Sequence, residues 1–181
     1  MLYLSRLNKN NGIRELEYLR NLPECENGFY NPASLENLES LSSFKEWLLE
    51  KENESLGINL KEGYVPQTVY FVMEEEKIVG IGKIRHYLNE KLLIKGGHIG
   101  LGISSGYRGQ GIGTRALELL LEEAYSSYGI SNALLTNNEN NMASRRIVEK
   151  CGGELESINS GSCKYWINLE KKKIKEKWKE V

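Results

Sequence analysis

The residues best suited to bind a ligand lie in one glycine-rich stretch of the second half of the chain. Residues 98–103 predict a short apolar strand, and residues 106–114 predict a glycine-rich turn that enters a helix. A strand that leads through glycines into a helix leaves main-chain N–H groups and the positive helix end facing one point. Such a loop binds anions, phosphate among them. The sequence therefore predicts an anion-binding loop at this helix start.

Three phosphate-binding motifs compete for this loop, and the spacing of its glycines separates them. A P-loop requires Lys and then Ser or Thr after its last glycine, but Ile112 follows Gly111. A dinucleotide fingerprint requires a third glycine where Thr114 stands. The third motif, Gln/Arg-x-x-Gly-x-Gly/Ala, is matched in full by Arg108, Gly111 and Gly113. That motif is the pyrophosphate loop of GNAT acetyltransferases, which the chain resembles here.

The resemblance to this superfamily covers about residues 65–168 and is strongest over residues 98–153. Residues 133–136 are similar to the family's fifth strand, and residues 141–153 to its next helix, in the form Asn-x-x-Ser followed by Glu-Lys-x-Gly. This form is most similar to the branch that contains the acetyltransferases of ribosomal-protein N-termini. The resemblance implies an α/β (α+β) fold, with a mixed, mostly antiparallel central sheet flanked by helices. It also implies acetyl-CoA as the acyl donor and no metal.

Two neighbouring segments would hold acetyl-CoA by this resemblance. Main-chain groups of Leu101 and Ile103 would bind the pantetheine arm, and the loop would hold the pyrophosphate. Period-two alternation places Gly100 and Gly102 on one face, where their exposed backbone would let a ligand approach. The residues that we predict to contact acetyl-CoA are Leu101, Gly102, Ile103, Arg108, Gly109, Gln110, Gly111, Ile112, Gly113, Thr114, Asn141 and Ser144.

Asn141 and Ser144, at the start of the next predicted helix, each allow two interpretations. Asn is a preferred N-cap residue, so Asn141 would cap this helix. The resemblance implies that it also faces the acyl donor, and both roles are compatible. Ser144, one turn further on, would lie near the sulfur of the donor, or else bond only to its own backbone.

The reaction that the resemblance implies is direct attack of an amine on the acetyl thioester in a ternary complex. The amine must first lose a proton to a base or a water relay, and main-chain N–H groups can stabilise the oxyanion. We predict His98 as the base, because an imidazole titrates near pH 6.5. The alternative is a structural hydrogen bond of His98 at the strand end. His86, Glu154 and Glu156 are further candidates for the base.

An apolar residue occupies the position where many GNAT enzymes have their acid. These enzymes place a tyrosine seven residues after the helix Asn, and here that residue is Val148. Ser144, Tyr165, Cys163 or water could protonate the departing thiol, and we predict Ser144 as the catalytic side chain among them. A thiolate with a pKa of about 8.5 needs little acid help. The missing tyrosine also keeps open an alternative, a non-catalytic acyl-CoA-binding or sensor module.

The rest of the chain must position these segments, and we predict a single domain over residues 1–170. Its acceptor side, about residues 8–64, has helical stripes in residues 13–22 and 34–50, with loops at 24–33 and 51–67. The core for the acyl donor covers about residues 65–169. Its predicted strands are 68–73, 78–85, 98–103, 154–158 and 163–168. The core also contains a predicted helix at 113–128 and a predicted loop at 88–97. Residues 2–7 are predicted to form the first strand of the chain. The lysine-rich tail 171–181 predicts a solvated helix or frayed end, or else contact with an acidic partner.

Composition limits the class of protein. The chain has 24 basic and 25 acidic residues in 181, and this balance gives no argument for binding nucleic acid. Its apolar runs fall short of the roughly 20 residues of a membrane helix, and its start lacks the features of a signal peptide. Three cysteines without metal-ligand spacing are typical of reduced thiols in the cytoplasm. We expect a cytoplasmic monomer or homodimer that does not bind membranes and acetylates a small-molecule or protein amine.

Overall fold

Nine strands and five α-helices make up the described part of this computed structural model, which is residues 1–26 and 28–170. The strands are β1 (Leu2–Arg6), β2 (Cys25–Glu26), β3 (Phe29–Tyr30), β4 (Gln67–Glu74), β5 (Lys77–Arg85), β6 (Ile99–Ile103), β7 (Asn132–Asn138), β8 (Glu154–Asn159) and β9 (Ser162–Asn168). The helices are α1 (Ile13–Arg20), α2 (Leu41–Ser55), α3 (Glu90–Ile94), α4 (Ile112–Tyr128) and α5 (Met142–Lys150). None of these helices combines the length and the apolarity that crossing a bilayer requires.

Two antiparallel sheets, in the orders β1-β4-β5-β6 and β7-β9-β8, meet at their edge strands β6 and β7. The contact between β6 and β7 is small. Gly97 forms a bridge with Leu135, and the His98 N–H donates to the Leu134 carbonyl at 2.7 Å. No backbone ladder continues this pairing within the described chain, so a cleft lies between the two strands. Helix α4 connects them, and the glycine-rich loop leads from the end of β6 to its N-terminus.

Helices cover both faces of the larger sheet, and the residues of β4 show why. Val69, Phe71 and Met73 pack against α1 and α2, whereas Tyr70 and Val72 pack on the side of α4. Since alternate residues of a strand point to opposite faces, β4 presents apolar side chains on both faces of the sheet. This double burial holds the strands rigidly beside the cleft.

The predicted elements are present, and most of the differences lie within residues 8–64. Helix α2 begins after Ser40, whose Oγ accepts the Ser43 N–H at 3.0 Å. Residues 34–40 therefore lie outside this helix, and only Glu36–Leu38 form a 3-10 turn. The helix continues to Ser55, where Arg6 donates to the Ser55 Oγ at 2.8 Å, so the predicted loop at 51–67 starts too early.

Two other predicted loops contain secondary structure, and one prediction falls outside the described residues. The loop at 24–33 contains the paired strands β2 and β3, and the loop at 88–97 contains α3. The cause in α3 is the Asn89 side chain, which caps the helix by accepting the Leu92 N–H at 3.0 Å. The prediction for the tail concerns residues 171–181, which lie outside the described residues.

The contact between the two sheets requires glycine at position 97, which gives a test of stability. Gly97 has a φ of +64°, and an added Cβ would lie 2.4 Å from the Leu134 carbonyl oxygen. We expect Gly97→Ala to lower the free energy of unfolding by about 2–4 kcal/mol, because backbone strain and a steric clash add together. The measurement is unfolding in urea.

Gly63 provides the matched control for this substitution. Its φ of +80° imposes the same kind of strain, but an added Cβ would meet no atom within 4 Å. Gly63→Ala should therefore cost only about 1 kcal/mol. Equal losses in the two variants would contradict a tight contact at Gly97.

Candidate functional site

The cleft between β6 and β7 has a volume of about 1290 Å³ and contains most of the predicted site. Ten of the predicted acetyl-CoA contacts line it, namely Leu101, Gly102, Ile103, Arg108, Gly109, Gly111, Gly113, Thr114, Asn141 and Ser144. The other two, Gln110 and Ile112, are not among the lining residues. The cleft therefore extends from the glycine-rich loop along β6 to the start of α5.

The glycine-rich loop presents main-chain donors at the start of α4. Gly109 and Gly111 have φ values of +76° and +80°, which glycine adopts without strain. Gly111 is the N-cap of α4, and no side chain caps this end. The first helical hydrogen bond, from the Arg115 N–H to the Gly111 carbonyl, has a length of 3.2 Å. The N–H groups that precede Arg115 in the first turn are thus available to an anion.

Three loop residues have no side chain that lines the cleft. An added Cβ on Gly113 would lie 2.8 Å from Ile147 Cδ1, so this glycine lets α4 pack closely on α5. The Ile112 side chain is buried in a cluster under β4 and β5. Gln110 donates through Nε2 to the Gly106 carbonyl at 3.1 Å. Gln110 and Ile112 can therefore contact a ligand only through their main-chain groups.

The Arg108 side chain is engaged with two other parts of the protein. Its Nε donates to the Ile103 carbonyl at 2.7 Å, and its Nη1 donates to the Glu26 carboxylate at 2.8 Å. This ion pair lowers the pKa of Glu26. The Arg108 N–H also donates to the Ser105 carbonyl, at 3.3 Å. The Arg108 side chain thus joins the glycine-rich loop to β2.

The β2–β3 pair extends across the cleft and touches both of its walls. The Phe29 ring lies against β6, where a Cβ on Gly102 would be 3.0 Å from the ring and one on Gly100 would be 3.6 Å away. Gly28 lies against the Asn138 side chain of β7. The face of β6 that we predicted to have exposed backbone is therefore covered. Its glycines make room for the Phe29 ring.

The start of α5 brings two predicted side chains to the cleft. The Asn141 Oδ1 accepts the Ser144 N–H at 3.1 Å, and Asn141 also lines the cleft, as both of its interpretations require. Ser144 Oγ accepts a hydrogen bond from Asn137 Nδ2. The Asn137 Oδ1 is buried without a partner in the described chain. Because Ser144 accepts this bond, its own hydroxyl proton remains available to another acceptor.

The two histidines lie outside the lining of the cleft. His98 is buried, and its Nδ1 accepts the Leu134 N–H at 2.9 Å. Burial, with a smaller effect of the nearby Arg85 charge, lowers the pKa of His98 to about 4. His86 Nε2 lies 2.9 Å from Thr68 Oγ1, and burial lowers its pKa as well. Both rings are thus neutral at pH 7 and engaged in internal contacts.

The candidates for the acid are separated by their positions. Val148 is 2% exposed and forms part of the cleft wall. Tyr165 is fully buried, and its hydroxyl donates to the Glu149 carboxylate at 2.8 Å. Cys163 is fully buried too, and neither it nor Tyr165 lines the cleft. Of the side chains that we considered as the acid, Ser144 is the one that reaches the cleft.

Sequence reasoning missed two basic side chains that line the cleft from β5. Lys83 Nζ lies 5.5 Å from the centroid of the Phe29 ring, and burial, together with Arg85 and Lys51, lowers the pKa of Lys83 to about 8. Arg85 donates through Nη1 to the Gly97 carbonyl at 2.8 Å. A signal was present in the sequence, since these two charges alternate with apolar residues in an otherwise buried strand.

Most of the chain matches one known protein family. The family model described as the Acetyltransferase (GNAT) family matches residues 32–153. No curated protein matches the chain. Within the described residues, no cluster of three His, Cys, Asp or Glu side chains could hold a metal ion.

Solved structures of N-acetyltransferases share the fold at low sequence identity. Campylobacter jejuni PseH, in complex with acetyl coenzyme A, is 10% identical with a TM-score of 0.62 over 93% of this chain and 99% of that one. Vibrio cholerae spermidine/spermine N-acetyltransferase SpeG is 16% identical with a TM-score of 0.63 over 96% of each chain. Vibrio fischeri ribosomal-protein-S5-alanine acetyltransferase is 16% identical with a TM-score of 0.66 over 93% of each. The family match covers more than half of the chain, which therefore belongs to the GNAT acetyltransferase family.

Proposed function

We propose that this protein transfers the acetyl group of acetyl-CoA to a primary amine by direct attack in a ternary complex. The observation that carries the proposal is the uncapped start of α4, whose N–H groups open onto the cleft between β6 and β7. An amine that enters from the side of the β2–β3 pair would meet the thioester beside β6. A cytoplasmic monomer or homodimer is the setting that we propose with it.

The chemistry needs few side chains when both substrates are held in place. Main-chain N–H groups at the start of α4 would bind the pyrophosphate, and β6 would hold the pantetheine arm beside Leu101 and Ile103. The amine nitrogen forms a bond to the acetyl carbon, the carbon–sulfur bond breaks, and the nitrogen loses a proton. Positioning of this kind supplies up to about 7–11 kcal/mol in well-oriented reactions.

Of the two roles that the sequence leaves open for His98, we propose the structural one. Its Nδ1 accepts from the Leu134 main chain, and its lowered pKa makes it a weak base. A water relay then takes the proton of the amine. For Ser144, the hydroxyl proton left free by the bond from Asn137 supports a contact to the sulfur of the donor.

The anion site is tested by substituting Gly111, which is left-handed and borders the free N–H groups. We expect Gly111→Val to weaken CoA binding at least about 100-fold in calorimetry, because its side chain blocks approach to the main chain. Gly152→Val is the matched control, since Gly152 has a φ of +90°, open space around its Cβ, and lies outside the cleft lining. CoA binding by Gly111→Val as tight as by the parent protein would make the site assignment wrong.

The structural role of His98 predicts effects on stability rather than on turnover. His98→Asn keeps an acceptor for the Leu134 N–H and should leave the single-turnover rate at pH 6–9 nearly unchanged. His98→Ala leaves that N–H unpaired and should cost about 1–3 kcal/mol of unfolding free energy. A loss of rate of about 10²–10⁴-fold in both variants would instead identify His98 as the base.

The same residue predicts a pH dependence of stability. The pKa of His98 is about 4 in the folded protein and near 6.5 in the unfolded chain, so between these values the unfolded chain binds the extra proton. The free energy of unfolding of the parent should therefore fall as the pH decreases from about 6.5 toward 4. His98→Asn should show a smaller fall over the same range in urea titrations.

The role of Ser144 is tested by Ser144→Ala, with Val148→Tyr as its complement. We expect Ser144→Ala mainly to raise the KM for acetyl-CoA, whereas loss of an acid would slow single turnover at saturation by about 10²–10⁴-fold. Val148→Tyr should bring little rate gain and cost about 1–3 kcal/mol of stability, because Val148 is buried. Ser126→Ala, on the exposed part of α4, is the control, because it removes a serine hydroxyl from a helix away from the cleft.

A further inference from the structure

Cationic side chains dominate the lining of the cleft. Among the described lining residues, those with a positive charge are Lys83, Arg85, Lys95, Arg108, Arg146 and Lys150. Glu26 is the one carboxylate in this lining, and Arg108 already holds it. The last three cations belong to the glycine-rich loop and α5, on the side of the proposed pyrophosphate site. The first three belong to β5 and the turn before β6, at the opposite end.

Lys83 combines partial burial with the absence of an ion pair in the described chain, whereas Lys95, Arg146 and Lys150 are exposed. The aliphatic part of the Lys83 side chain is partly buried against Gly100, and its ammonium group faces Phe29. No described carboxylate lies within 4 Å of its Nζ. The acidic group that favours its charged form is Glu54, which is itself paired with Lys51 at 2.7 Å. A cation–π contact offsets little of the cost of removing an ammonium from water. Within the described residues, Lys83 therefore has no counter-ion that balances its charge.

Arg85 has a different role, because its guanidinium is used inside the protein. Its Nη1 donates to the carbonyls of Gly96 and Gly97, at 3.2 Å and 2.8 Å. It thereby holds the turn that leads into β6, and its charge adds to that of Lys83. Of the two basic side chains of β5, the one that can accept a new anionic partner is therefore Lys83.

We propose that the accepting amine carries an anionic group, a carboxylate or a phosphate, and that Lys83 binds this group. The inference rests on the proposed function and specifies its acceptor class. The anion completes the ion pair that Lys83 lacks, and it holds the amine beside β6. The amine nitrogen then forms the amide bond to the acetyl carbon, the carbon–sulfur bond breaks, and the nitrogen's proton passes to water.

The same charges disfavour a polyamine as the acceptor. A second ammonium group on the acceptor would meet Lys83 and Arg85 at this end, and the one lining carboxylate is already paired. The acceptor class proposed here thus differs from the spermidine and spermine named for SpeG. Like-charge contacts of this kind reject wrong partners in binding sites.

The experiment compares matched amines as acceptors, with release of the CoA thiol as the readout. The pairs are β-alanine with β-alaninamide, 4-aminobutyrate with 4-aminobutyramide, and O-phosphoethanolamine with ethanolamine; 1,4-diaminobutane and spermidine are the dications. Binding of each amine to the CoA-saturated protein is measured separately by calorimetry. The variants are Lys83→Met, Lys83→Glu and, as the matched control, Lys77→Met at the exposed start of β5.

We expect at least one anionic amine to exceed its neutral partner by about 10-fold or more in kcat/KM or in binding. Lys83→Met should remove this preference through KM, Lys83→Glu should reverse it toward the dications, and Lys77→Met should retain it. Acetyl-CoA affinity and the circular dichroism spectrum should stay unchanged in all three variants.

Several results would overturn the inference. These are equal treatment of anionic and neutral amines in both transfer and binding, preference of the parent for the dications, and loss of acetyl-CoA affinity in Lys83→Met. An equal fall of kcat for both members of a pair would mean that Lys83 acts as the base instead. The proposed function fails separately, if CoA does not bind or if amines that bind are not acetylated.

Discussion

The small contact between β6 and β7 is the constraint on which the site depends. His98 holds Leu134 twice, through its main-chain N–H and through its Nδ1, and Gly97 adopts a conformation that admits no Cβ beside it. These bonds join the two sheets at one place, and no ladder continues between the strands in the described chain. Since the glycine-rich loop leads from the end of β6 into α4, the free N–H groups in the first turn of this helix open onto the resulting cleft. Buried helices on both faces of the larger sheet keep this arrangement rigid.

The β2–β3 pair connects the N-terminal part of the chain to the glycine-rich loop. Glu26 is paired with Arg108, both side chains are 41% exposed, and an exposed pair of this kind contributes about 0–1 kcal/mol. Its importance is thus geometric, because Arg108 also holds the Ile103 carbonyl at the end of β6. Phe29 lies on the glycines of β6 and below the ammonium of Lys83. The β2–β3 pair therefore contacts the glycine-rich loop, β6 and the ammonium of Lys83.

Sequence reasoning recovered the features whose causes are local. The strand, the glycine-rich loop and α4 follow from spacing and from glycines with positive φ, and Asn141 caps α5 as its type predicts. The features that it missed depend on residues far apart in the chain. Arg108 meets Glu26 across 82 positions, and the role of His98 depends on Leu134, 36 positions away. Two-residue strands such as β2 and β3 have no periodicity of their own, so only their contacts with β6 reveal them.

The residues that line the cleft are better suited to positioning the substrates than to transferring protons. In the described chain no histidine lines it, and the place of a family tyrosine is taken by the buried Val148. A thiolate with a pKa of about 8.5 departs without a strong acid, and water can accept the proton of the amine. What such a site must supply is a bound donor and an amine held against it in the right orientation. An unpaired cation at the acceptor end then bears on which amine is held, because charge at that end selects the acceptor before any bond is broken.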